Sequence, residues 1–114
     1  MSRIKRFLLF LLLIPVLLFA ACMEQTIAEV KADPYRYQKK EAHIGGVVTR
    51  SFGVLNMGFY ELQDNTDKIL VASNRGVPAK GTKVEVKGKA INAFSFAGVS
   101  YGTVIQESDR KVHH

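Results

Sequence analysis

Residues 7–19 (FLLFLLLIPVLLF) form one unbroken apolar run, and the chain beyond it mixes polar and apolar positions. From residue 42 the pattern has period two, the signature of strands with one buried face. In AHIGGVVTRSFGVL, Ile44, Gly46, Val48, Arg50 and Phe52 fall on one side of an ideal strand, with Gly45, Val47, Thr49 and Ser51 on the other. The Gly45-Gly46 pair lets so long a strand curve. GFYELQD (58–64) predicts a second strand, with Tyr60 and Leu62 opposed to Phe59 and Glu61. KILVAS (68–73) predicts a third, with Ile69 and Val71 together. TKVEVKGKAINAF (82–94) predicts a fourth, with Val84 and Val86 inward and Lys83, Glu85, Lys87 and Lys89 toward water; VSYGTVIQE (99–107) predicts a fifth. Asn56-Met57-Gly58 and Asp64-Asn65-Thr66-Asp67 read as turns by composition, and 74–81 as a longer connection. Upstream, EQTIAEVKA (24–32) is one-sided around Ile27 and Val30, a short helix that Asp33-Pro34 ends. Tyr35 and Tyr37 precede a polar turn at 38–41, and Ser108 to His114 read as a polar tail. The expected core is Ile44, Val48, Leu62, Ile69, Val71, Val84, Val86 and Ile105.

Five strands between residues 42 and 107 offer too little area for two full sheets, so an all-β, strongly curled barrel is expected, with the helix packed against it. The motifs Ile44-x-Gly46-x-Val48, GFYELQDNTDKILV and Gly81-Thr82-Lys83-Val84-Glu85-Val86-Lys87-Gly88 resemble OB-fold domains, of the tRNA-anticodon-binding type and of the small bacterial periplasmic OB-fold proteins. That resemblance implies a five-stranded OB-fold over 42–107. It says little about the ligand, because the fold hosts many.

The N-terminus changes the picture again. Arg3, Lys5 and Arg6 precede the 13-residue apolar run, and Ala20-Ala21-Cys22 follows it. This is the layout of a secretory signal, shorter than a membrane span of about 20 residues. Leu18-Phe19-Ala20-Ala21-Cys22 resembles the bacterial lipoprotein lipobox, with Phe19 where leucine is usual. The resemblance implies a signal peptide at 1–21 and a mature chain anchored to the membrane through acylated Cys22. Two or three acyl chains anchor stably where one binds marginally. Met23 rather than aspartate after the cysteine implies, in a Gram-negative envelope, the outer membrane facing the periplasm. The expected organisation is therefore 1–21 signal, 22–41 lipidated N-terminus and helix, 42–107 OB-fold domain and 108–114 tail.

Composition then narrows the function. The chain carries 16 Lys+Arg against 10 Asp+Glu, but three cations sit in the signal, leaving 13 − 10 = +3 from residue 22 onward. So small an excess gives little support to nucleic-acid binding. Cys22 is the single cysteine, which excludes an intrachain disulfide and a cysteine-based zinc site. G-x-S-x-G, H-E-x-x-H and G-x-x-x-x-G-K-[ST] are absent from the sequence, so a non-enzymatic module without cofactor or metal is expected. His43 reads as a strand-boundary residue. His113 and His114 lack the following tyrosine of the haem chaperone of cytochrome c maturation, so haem attachment is not expected.

What remains is apolar loop surface. Phe52, Leu55, Met57 and Phe59 surround the strand 1–2 loop (52–59), with Tyr60 beside them; Phe94 and Phe96 stand on the strand 4–5 loop (93–99). OB-folds usually bind with these two loops. They either bind an envelope protein or small apolar ligand, or Phe94 and Phe96 plug the barrel end. The alternative is an oligonucleotide on Phe59, Tyr60 and the strand-four lysines.

Overall fold

The computed structural model describes residues 24–113; the expected signal peptide at 1–21, Cys22 and His114 lie outside the described residues. Two short helices, α1 (Ile27–Ala32) and α2 (Arg36–Lys39), precede five strands: β1 (Ala42–Val54), β2 (Met57–Gln63), β3 (Lys68–Ser73), β4 (Lys83–Phe96) and β5 (Val99–His113). Each strand has two neighbours in the order β1-β2-β3-β5-β4, and β4 returns to β1, so the sheet closes into a ring. Every pairing is antiparallel except β3 with β5.

The closure depends on β1. Its residues 42–47 pair with β4 and 47–54 with β2, so the strand changes partner just past Gly45-Gly46. A Cβ at Gly46 would stand 2.3 Å from the Gln63 carbonyl oxygen, so only glycine lets β1 cross the end of β2 this closely.

Inside the ring lie Ile44, Val48, Leu62, Ile69, Val71, Val84, Val86 and Ile105, the whole expected core, joined by Tyr60 and Ala90. Ile27 and Val30 of α1 and Tyr37 of α2 complete the same cluster. Thr26 caps α1, its Oγ1 accepting the Glu29 N–H at 3.1 Å. Asp64 fixes the helix to the β2–β3 turn: its Oδ2 accepts the Ile27 N–H at 2.9 Å, and its Oδ1 accepts the N–H groups of Thr66 and Asp67. Partial burial pushes the Asp64 carboxyl up, but these bonds and the Thr66 hydroxyl outweigh it and hold the group below the usual range.

Among the described residues, one charged side chain enters the interior. Glu107 of β5 accepts the Tyr60 hydroxyl at 2.5 Å, the Ser73 hydroxyl at 2.8 Å and Arg110 Nη1 at 3.0 Å. A buried carboxylate persists only when so satisfied. Burial first, then the bond to Glu107 and its negative charge, pushes the Tyr60 phenol well above its ordinary value.

Four expectations need correcting. Residues 108–113 are not a tail but the end of β5, with 109–113 paired to Lys83 to Lys87 of β4 and Ser108 at a register shift. Polar side chains hid this, because ladder hydrogen bonds come from the backbone and only Val112 there is apolar. Next, β1 does not keep one phase. Val48 pairs with Leu62 but Arg50 with Glu61, a bulge with Thr49 as the extra residue. Arg50 and Phe52 therefore sit on the outer wall, opposite to Ile44 and Val48. Third, the first half of the expected turn at 38–41 belongs to helix α2, with Tyr37 buried, and only Lys40 and Glu41 lie beyond it. Finally, 52–59 and 93–99 are mostly strand, narrowing to the hairpin tips at Leu55-Asn56 and Ala97-Gly98.

Candidate ligand-binding face

The β1 bulge builds the outer wall. Thr49 Oγ1 donates to Glu61 Oε1 at 2.7 Å, and the inward Ser51 Oγ donates to the Pro78 carbonyl at 2.6 Å. Phe52 thus lies outside, opposite Phe59 of β2. Phe59 is fully buried, together with Ala72 of β3 and Val104 of β5, in a second cluster separate from the interior.

The β4–β5 hairpin covers it. Irregular register between Ile91 and Phe94, with Ala93 at φ 54°, bends β4. Ala97 (φ 52°) and Gly98 (φ 79°) then turn the chain, both left-handed as a type I′ turn requires. Phe59 ends enclosed by four rings: Phe52 at 5.6 Å and Tyr101 at 5.4 Å, both stacked, and Phe96 at 5.7 Å and Phe94 at 6.0 Å, both tilted. Phe94 and Phe96 therefore cover the outer wall instead of plugging an end of the ring.

Of the seven candidates, the fold brings together Phe52, Met57, Phe59, Phe94 and Phe96. Tyr60 lies inside the ring, bonded to Glu107. Leu55 stands at the β1–β2 tip, 86% exposed. Val99, at the β4–β5 tip and 50% exposed, belongs to the expected 93–99 loop although not to the seven candidates, and Leu70 on the wall was missed. A signal for Leu70 existed: Ile69-Leu70-Val71-Ala72 is apolar on both faces, the mark of a strand covered on both sides.

Beside the rings runs a groove over β2 and β3, lined by Lys31, Arg50, Glu61, Lys68, Leu70 and Tyr101. Two of its three cations, Lys31 and Arg50, have acidic neighbours. Lys31 Nζ is 3.2 Å from Asp67 Oδ1 and Arg50 Nη2 is 3.7 Å from Glu61 Oε2. Lys83, Lys87 and Lys89 stand on β4, whose neighbours in the ring are β1 and β5, so they do not share the β2–β3 wall.

No protein-family model matches the sequence, and no curated protein matches it. Solved structures do resemble the fold. Asparaginyl-tRNA synthetase from Pyrococcus horikoshii superposes with a TM-score of 0.63 at 17% identity, over 78% of this chain and 22% of that one. OBody AM3L09, solved bound to hen egg-white lysozyme, superposes with a TM-score of 0.56 at 16% identity, over 72% of this chain and 90% of that one. The fold is an OB-fold. The chain spans only 22% of the synthetase's length, and identities this low speak to the OB-fold alone. In an OB-fold, the loops after strands 1 and 4 flank the usual binding wall, and here they are the two apolar hairpin tips.

Proposed function

We propose that this chain is a non-enzymatic, lipid-anchored binding module of the bacterial cell envelope. It takes a protein or small apolar partner on the wall between the β1–β2 and β4–β5 hairpin tips. The observation that carries this reading is Leu55. It is exposed and left-handed at φ 54°, where asparagine or glycine is favoured and leucine is strained by about 1 kcal/mol. Its apolar side chain adds nothing to the OB-fold that would repay that strain. Exposed Val99 faces solvent at the other tip, and an aromatic cluster packed on buried Phe59 lies between them. That OBody AM3L09, a similar fold, was solved bound to a protein supports the class of partner. The anchor rests on Cys22 behind its apolar run.

A second reading, an oligonucleotide in the groove beside Tyr101, draws on Lys31, Arg50 and Lys68. The acids beside Lys31 and Arg50 oppose it. Binding of the full chain to envelope extract and to a fluorescent single strand separates the two. Capture of one partner that is lost in Leu55→Ser/Val99→Ser and kept in Lys83→Glu/Lys87→Glu is expected. Oligonucleotide binding that weakens steeply with salt and drops in Lys31→Glu/Lys68→Glu overturns the first reading. For the anchor, a palmitate analogue should label the protein and not Cys22→Ala; equal label in both defeats it.

A further inference from the structure

Glu24, His43, Glu85 and His113 meet on the outer face of β1, β4 and β5, away from the aromatic wall. Sheet register gathers three of them. Gly45 stands opposite Glu85 across the β1–β4 pair, with His43 two residues back on the same face. His113 of β5 is opposite Lys83, diagonal to Glu85. Glu24 arrives by a clasp: the Gln25 N–H donates to the His43 carbonyl at 2.8 Å, and the His43 N–H donates to Gln25 Oε1 at 2.8 Å. Its carboxylate then lies over Gly45, where a Cβ would meet the two oxygens at 3.0 and 3.1 Å. The missing side chain at Gly45 is thus the seat of the Glu24 carboxylate.

Donor atoms of Glu24, His43 and Glu85 all lie within 4.8 Å of one another. His113 Nε2 is 3.0 Å from Glu85 Oε2, and this contact holds the Glu85 carboxyl below its usual range. Two carboxylates so close repel each other, and a divalent ion between them turns the repulsion into attraction.

We propose that this cluster is a Zn(II) site, with Glu24, His43 and Glu85 as ligands and His113 as the partner that orients Glu85. One imidazole nitrogen with two carboxylates suits Zn(II), whereas Mg(II) and Ca(II) prefer oxygen alone. Zinc bonds of about 2.0–2.2 Å require donors roughly 3.3–3.6 Å apart in a tetrahedron. These part-exposed side chains reach that spacing by drawing inward about 1 Å. Three protein ligands leave a fourth position for water, as an open zinc site does.

The test is calorimetric titration of ZnCl2 into the full chain in a Cys22→Ser background, which removes the thiol that unacylated protein would carry, with MgCl2 in parallel. One-to-one zinc binding is expected, with no comparable magnesium binding. His43→Ala should weaken zinc at least about tenfold, and His113→Ala by a smaller factor, as a positioning residue does. Gly45→Ala removes no ligand but displaces Glu24, and should also weaken zinc. Zinc should raise the Tm of the parent and not of His43→Ala, whose fold is checked by circular dichroism. Absence of saturable heat at millimolar zinc, binding unchanged in His43→Ala, or equal binding of magnesium overturns the proposal.

Discussion

Tyr60→Phe removes one oxygen from the centre of the molecule and leaves the ring in place. The lost bond, 2.5 Å to a carboxylate with almost no exposure, is charge-assisted, a class worth about 1.5–3 kcal/mol. Glu107 keeps Ser73 and Arg110, so the variant escapes the full penalty of an orphaned buried charge. A loss of about 2 kcal/mol is expected, or roughly 8–16 °C in Tm for a domain of this size. Alkali supplies a sharper signature. In the unfolded chain Tyr60 loses its proton near pH 10. In the native protein burial and Glu107 hold the phenol well above that value. Above pH 10 the unfolded state therefore binds fewer protons than the native one, and stability falls with rising pH. The contribution is complete below pH 10 and drains away above it, by up to about 1.4 kcal/mol per pH unit. Phenylalanine cannot titrate, so the gap between parent and variant should narrow beyond pH 10, while lysines and the other tyrosines cancel in the difference. Urea unfolding of both proteins from pH 7 to 11 measures it. A gap below about 0.5 kcal/mol at pH 7, or one constant to pH 11, refutes the assigned role of the network.

Gly46→Ala should cost more than about 2 kcal/mol or prevent folding, since its Cβ meets backbone at 2.3 Å; a urea midpoint equal to the parent's counts against the observed crossing of β1 and β2. Asp64→Ala should cost about 1–2 kcal/mol by releasing α1 from the β2–β3 turn. Because the Asp64 pKa is lowered in the fold, its contribution is present above the unfolded value near 4 and vanishes as pH falls through the native value, so parent and variant should converge in acid melts. Phe59→Ala should cost about 3–5 kcal/mol, whereas Leu55→Asn should leave thermal stability unchanged or raise it by up to about 1 kcal/mol while weakening partner capture.

The interior was legible because it obeys one rule. Ile44, Val48, Leu62, Ile69, Val71, Val84, Val86 and Ile105 each occupy the inward phase of a period-two strand, and a closed ring has one inside. The rule failed where a backbone event reset the phase. The bulge at Thr49 sends Phe52 outward, and no side chain before it announces the extra residue. It failed again beyond Glu107, where pairing with β4 continues through polar residues that carry no hydrophobic signal.

Those two failures bear on function in different ways. The bulge turns Phe52 to the outer wall, where it stacks on Phe59 and helps form the face between the hairpin tips. The extension of β5 carries His113 to Glu85, far from it in sequence, so the polar cluster with Glu24 and His43 exists only once the ring has closed. Neither group has a linear motif: the aromatic wall draws residues from β1, β2, β4 and β5, and the polar cluster from the segment before α1 and from β1, β4 and β5. A sequence pattern reports a site when one element carries it. Here closure of the sheet is what assembles both groups, so a reading of single strands recovers their members and not their meeting.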